Sequence, residues 1–155
     1  MIKLARILIP IDFSEHGLQA LRYGCALSER FGSDLHLLNV LEDYYPLVPE
    51  AGMMLGDKDQ YLSGLRASSE RELAKYPDPA WLPGGNVTRT VIVGTPFVEI
   101  VRYAREHDID LIVVGSHGRT GLAHALMGSV AERVVRKAPC PVLTVRPGQH
   151  DFVMP

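Results

Sequence analysis

Cysteine is scarce in this chain. Cys25 and Cys140 are the only two among 155 residues, and they fit no metal or redox spacing. That excludes a disulfide-built scaffold and suits two thiols in a reducing cytoplasm. An excess of charge of either sign is also missing: 16 Lys and Arg face 18 Asp and Glu, for a net charge of −2. No broad basic field is available for nucleic acid or an anionic membrane. No apolar run approaches the roughly 18 residues of a membrane span, and Met1-Ile2-Lys3 leads into a strand without a signal-peptide core. The expectations are a cytoplasmic protein, no nucleic acid and no membrane. Two familiar phosphate loops are absent as well, since neither Gly-x4-Gly-Lys-Ser/Thr nor Gly-x-Gly-x-x-Gly occurs. The six histidines are scattered; His117 and His124 lie seven apart without Cys or acidic partners, which argues against zinc.

What is present is alternation. Apolar, β-branched runs at 4–11, 35–41, 87–93, 110–115 and 141–145 read as five strands. Between them, helices are predicted over 15–30 (Ser14 as N-cap, Gly32 as stop), 57–75, 96–107 (Thr95 as N-cap, Pro96 at the first turn) and 129–137. Leu18, Leu21, Cys25, Tyr61, Leu65 and Leu73 are core candidates, and Arg66 with Glu70 a surface pair. Residues 42–56, with Tyr44, Tyr45, Met53 and Met54, form the longest irregular segment. The pattern implies an α/β fold, a single-domain five-stranded parallel sheet with helices on both faces. The expected domain spans 1–147, with a polar tail at 148–155.

The most specific stretch runs from Leu111 to Glu132. A buried-strand run ends at Gly115, glycines follow at 118 and 128, and an amphipathic helix opens at Gly128-Ser129. Most strand-to-helix loops span about 2–6 residues, so this one is long, with room for a helical turn at 122–127. Glycines permit close backbone approach, and a helix N-terminus supplies N–H donors and partial positive charge for phosphate. The stretch reads as a phosphate cradle.

In a parallel sheet the ligand lies outside the carboxyl ends of the strands, where the strand order reverses. Order 3-2-1-4-5 places Asp12 and the Gly115–Ser129 loop across one crevice. Order 2-1-3-4-5, that of flavodoxins and receiver domains, fails on named residues. The loop after strand one, Asp12-Phe-Ser-Glu-His, is acidic and glycine-free, and strands three and five end in Val93-Gly94 and Arg146. Several residues keep two readings. Asp12 suits a ribose hydroxyl or a divalent cation, and equally an Asx turn. Ser129 suits phosphate, and equally a capping box with Glu132. Arg119 suits the outer phosphates, although an Arg in a surface loop is more often only solvated, and His117 suits a phosphate or sugar, and equally a loop hydrogen bond. Val40, by sequence alone, reads as plain core packing.

Six segments in this order resemble the nucleotide-binding branch of the universal stress protein family. They are Ile9-Pro10-Ile11-Asp12-Phe-Ser14, Leu37-Leu38-Asn-Val40, Val93-Gly-Thr-Pro96, Asp110-Leu-Ile-Val-Val-Gly115-Ser-His-Gly118-Arg119, Gly128-Ser-Val-Ala-Glu132 and Ala138-Pro-Cys-Pro141-Val-Leu-Thr-Val. The resemblance implies a Rossmann-like sheet of the adenine nucleotide alpha hydrolase type, in order 3-2-1-4-5. It also implies binding of ATP, ADP or AMP, with Mg2+ or Mn2+. Carried over by position, Pro10, Ile11, Asp12 and Val40 would surround the adenosine. Gly115, Ser116, His117, Gly118, Arg119, Gly128, Ser129 and Val130 would hold the phosphates, with Asp12 near the metal.

No catalytic set is evident, so the first functional expectation is a nucleotide-binding stress-response regulator. The alternative is a weak ATPase or autophosphorylating enzyme using Asp12 or a loop Ser or Thr, with His117 as base. A further alternative is a nucleotide-free structural dimer. The short apolar strand opened by Pro141 reads as an edge, and an uncovered edge invites a second copy. The expected assembly is a homodimer through 141–145.

Overall fold

The central strands are largely apolar runs because both their faces are covered, whereas the two edge strands are partly exposed. The computed structural model describes residues 3–44, 57–82, 84–117 and 127–146. Along it run β1 (Arg6–Pro10), α1 (Glu15–Phe31), β2 (Asp34–Leu41), α2 (Lys58–Leu73), β3 (Val87–Val93), α3 (Pro96–Glu106), β4 (Leu111–Gly115), α4 (Ser129–Lys137) and β5 (Val142–Val145). The five strands form one parallel sheet in the expected order, β3-β2-β1-β4-β5. Alternation along β1 divides the core. Ile7 and Ile9 pack with Leu21, Cys25 and Leu73 of α1 and α2, while Leu8 packs with Ile100, Tyr103 and Val134 of α3 and α4.

Local signals explain the boundaries. Ser14 accepts from Gly17 N at 3.2 Å and caps α1, and Gly32 closes it in the left-handed region at φ 65°. Pro10 ends β1, where a missing N–H costs the ladder least. Thr95 and Pro96 stand where expected, although the Thr95 side chain makes no cap bond. Asp57 is the N-cap of α2 rather than its first residue, accepting from Asp59 N.

Two expected pairings do not form. Arg66 reaches the Val91 carbonyl at 3.0 Å rather than Glu70. The reason is topological: β3 is an edge strand, so its outer carbonyls have no neighbouring strand. The capping box is also absent. Gly128, not Ser129, occupies the N-cap of α4, no side chain caps it, and Glu132 pairs instead with Arg136 at 2.9 Å. Leu73 is buried, whereas Leu18, Tyr61 and Leu65 are half-buried. Both cysteines are free thiols. Among the described residues no helix is long and apolar enough to cross a membrane. The expected turn at 122–127, apart from Met127, the tail and most of 42–56 lie outside the described residues.

Candidate functional site

The order reverses at β1, which lies between β2 and β4. β1 and β4 are in register at Ile7–Leu111 and Leu8–Ile112, whereas β1 follows β2 from Arg6 to Pro10. A crevice therefore opens beyond the carboxyl ends of β1 and β4, where such sheets bind ligands. The N-termini of α1 and α4 both stand at this edge, and each carries partial positive charge.

On the β4 side, α1 sits directly on Gly115. A Cβ there would lie 2.7 Å from the His16 carbonyl oxygen and 3.0 Å from its Cβ. This glycine is demanded by packing. Ser116 follows, 2 % exposed, with its amide on the Val145 carbonyl at 2.8 Å. Its hydroxyl lies between two imidazoles, 3.1 Å from His117 Nδ1 and 3.5 Å from His16 Nδ1. The two rings are 5.2 Å apart, tilted by 58°. The chain then leaves toward Gly118 and Arg119, both outside the described residues, and returns at Gly128, whose amide donates to the Ser116 carbonyl at 2.6 Å. Ser116 is thus both start and closure of the loop. Ser129 is exposed at the first turn of α4.

On the β1 side, Asp12 Oδ1 accepts from Ser14 N at 3.0 Å and from Ser14 Oγ at 2.5 Å. That is the Asx-turn arrangement. Between them Phe13 is held at φ 63°, a strained conformation for an aromatic residue. Its ring lies 6.1 Å from that of Tyr76. Asn39 donates to the Ile11 carbonyl at 2.7 Å and accepts from Ser69 Oγ at 2.6 Å, so a buried polar chain ties β2 and α2 to the end of β1. Val40 lies two residues beyond Leu38, the last β2 residue in register with β1. Val40, Met127 and Val130 all pack against the α3/α4 side of the core. The hydroxyl–imidazole cluster therefore stands beside α1, at the carboxyl end of β4.

Among the described residues no three His, Cys, Asp or Glu side chains converge on a cation position. One Asp12 oxygen is already occupied by Ser14. The described residues do not fit a metal held by protein alone. Sequence reasoning missed His16, Asn39 and Ser69. His16 and Ser116 are 100 residues apart, and no local pattern joins them.

The fold defines the class: a doubly wound α/β domain whose strand order reverses at β1. The profile described as the universal stress protein family matches residues 3–146, and the chain belongs to that family. It is 32% identical over 142 residues to universal stress protein MJ0531 of Methanocaldococcus jannaschii, covering 91% of this chain and 81% of that one. Universal stress protein MJ0577 of the same organism is 30% identical over 152 residues, covering 91% and 94%. The solved structure of MJ0577 superposes with a TM-score of 0.81 over 96% of this chain and all of that one. A universal stress protein solved in complex with cAMP shares the fold at 22% identity and a TM-score of 0.62, over 94% and 99% of the two chains.

Proposed function

We propose that the crevice binds an adenine nucleotide, ATP or its di- or monophosphate, and that the protein is a cytoplasmic stress-response regulator rather than an efficient catalyst. One residue carries the reading. Gly128 has φ −70° and ψ 152°, a conformation any residue adopts, so its backbone does not call for glycine. An N-cap favours glycine modestly over apolar residues, and close approach of a phosphate to an uncapped helix start gives it a second use. A relative of the same fold in complex with cAMP supports adenine as the base, and the half-buried Val40 at the end of β2 offers it an apolar surface. Gly118, Arg119, Ser129 and the first-turn amides of α4 are assigned to phosphate. Pro10, Ile11 and Asp12 are assigned to the nucleoside, with Mg2+ or Mn2+ on the phosphates. Two free cysteines favour a reducing compartment.

The test is mass spectrometry of nucleotide released from denatured, freshly purified protein, with calorimetry of ATP, ADP and AMP. Gly128→Val should retain the fold and lose the nucleotide. A wild type that is empty and binds none of the three refutes the reading and leaves a structural dimer.

Two further points follow. Ser116 Oγ and His117 Nδ1 lie within the reach that nucleophile activation needs, which favours slow phosphoryl transfer as the second reading. Phosphate release above background that vanishes in His117→Ala would establish it. The apolar edge strand β5, with Leu143 37% exposed, is assigned to a C2 homodimer. A monomer in light scattering at micromolar concentration contradicts that assignment.

A further inference from the structure

The cluster around Ser116 contains one group that neither spacing nor family pattern assigns, the imidazole of His16. It belongs to the first turn of α1, whose backbone lies against Gly115, so its place relative to the phosphate loop is fixed by packing. Its Nδ1 is turned to the Ser116 hydroxyl at 3.5 Å, and its ring is half-buried beside that of His117. A serine hydroxyl has one proton to donate and lone pairs to accept with. With the hydroxyl donating to His16 Nδ1 and accepting the Nδ1–H of His117, both rings are fixed as a pair and the His16 proton stands on Nε2, free to be donated to a ligand. The Nε2 atom of His16 has no partner among the described residues. A half-buried ring nitrogen beside a proposed anion site, held in place from its other side, is organised for a ligand contact. The Gly128 amide donates to the Ser116 carbonyl at 2.6 Å, so a phosphate held at the start of α4 would lie beside this cluster.

We propose that His16 is a further ligand-contacting residue of this site, its imidazole paired with His117 across the buried Ser116 hydroxyl and donating to the outermost phosphate. The site then prefers a nucleoside triphosphate to a monophosphate. This rests on the nucleotide-binding reading above and adds to it a specificity for phosphate number.

The experiment is calorimetric binding of ATP and of AMP to wild type, His16→Ala and His16→Phe, with the melting temperature of each. His16→Ala should weaken ATP about tenfold, the weight of one charge-assisted hydrogen bond, and leave AMP within about twofold. His16→Phe retains the ring volume against His117 and loses the donor; it should show the same selective loss, and it decides the matter if His16→Ala does not fold. Equal losses for ATP and AMP, or none for either, overturn the role of His16 while nucleotide binding stands. A wild type that binds neither nucleotide overturns both.

Discussion

Adding one methyl group at Gly115 tests how the site is built. In Gly115→Ala the new Cβ would meet the His16 carbonyl oxygen at 2.7 Å, its carbon at 2.8 Å and its Cβ at 3.0 Å. Ordinary contact begins at 3.4 Å, so the first turn of α1 must retreat by about 0.7 Å. Two of the three atoms are backbone and cannot swing aside as a side-chain end can. Overpacking of this kind typically costs about 1–3 kcal/mol. For a chain of this size each kcal/mol lowers the melting temperature by roughly 2–4 °C, which gives a fall of about 2–12 °C by calorimetry. Gly64 supplies the opposite sign, because it lies inside α2 with nothing within 4 Å of a built Cβ. Gly64→Ala should stabilise by about 0.5–1 kcal/mol, the ordinary helix gain. If Gly115→Ala melts within a degree of wild type while Gly64→Ala gains, α1 is not seated on β4 as described. The placement of His16 beside Ser116 would then fail with it.

Three other outcomes are expected. Ser69→Ala removes the donor to Asn39 Oδ1 in a buried setting and should cost about 1–3 kcal/mol; an unchanged urea midpoint contradicts that role. Burial first, then the charge of His107 and more weakly that of Arg6, lowers the His36 pKa from its usual 6.5 against the opposing pull of Asp34. The unfolded chain therefore binds more protons, and this stabilisation is present above about pH 6.5 and lost as pH falls below it. The stability gap between wild type and His36→Asn should shrink from about pH 7.5 to about pH 5.5, and a gap independent of pH contradicts the assignment. Burial pushes the Cys25 thiol up to about 12, so Ellman's reagent should reach it only on unfolding; two fast thiols in the native protein would contradict its place in the core.

Much of the fold was legible because its signals are local. Ile7, Leu8 and Ile9 read as a buried parallel strand whatever covers each face. Gly32 and the Thr95-Pro96 pair mark helix ends by backbone preferences alone. The strand order came from the family resemblance, with the glycine-free loop at Asp12 arguing against a flavodoxin topology and Val93-Gly94 with Arg146 against a receiver topology. What stayed hidden depends on tertiary neighbours. Helical spacing pairs Arg66 with Glu70 at a few tenths of a kcal/mol, and a carbonyl on the outer side of edge strand β3 outbids that once the helix lies over it. Asn39 sits in an apolar run and would read as an intrusion, yet it is satisfied by Ile11 and Ser69 from other elements. Ser129-x-x-Glu132 has the composition of a capping box, but the helix starts one residue too early for the hydroxyl to serve, and Glu132 turns to Arg136.

The two glycines framing the loop show where sequence reading stops. Gly115 and Gly128 look equivalent, each closing or opening an element beside the same proposed ligand. In the fold they differ in kind. Gly115 is demanded by the backbone of His16, so its substitution should damage stability whether or not any nucleotide binds. Gly128 stands in a conformation open to any residue, so its substitution should cost in melting only the modest N-cap preference for glycine, and a complete loss of binding beside so small a loss of stability reports a ligand. Separating those two losses distinguishes a phosphate site from a tight turn.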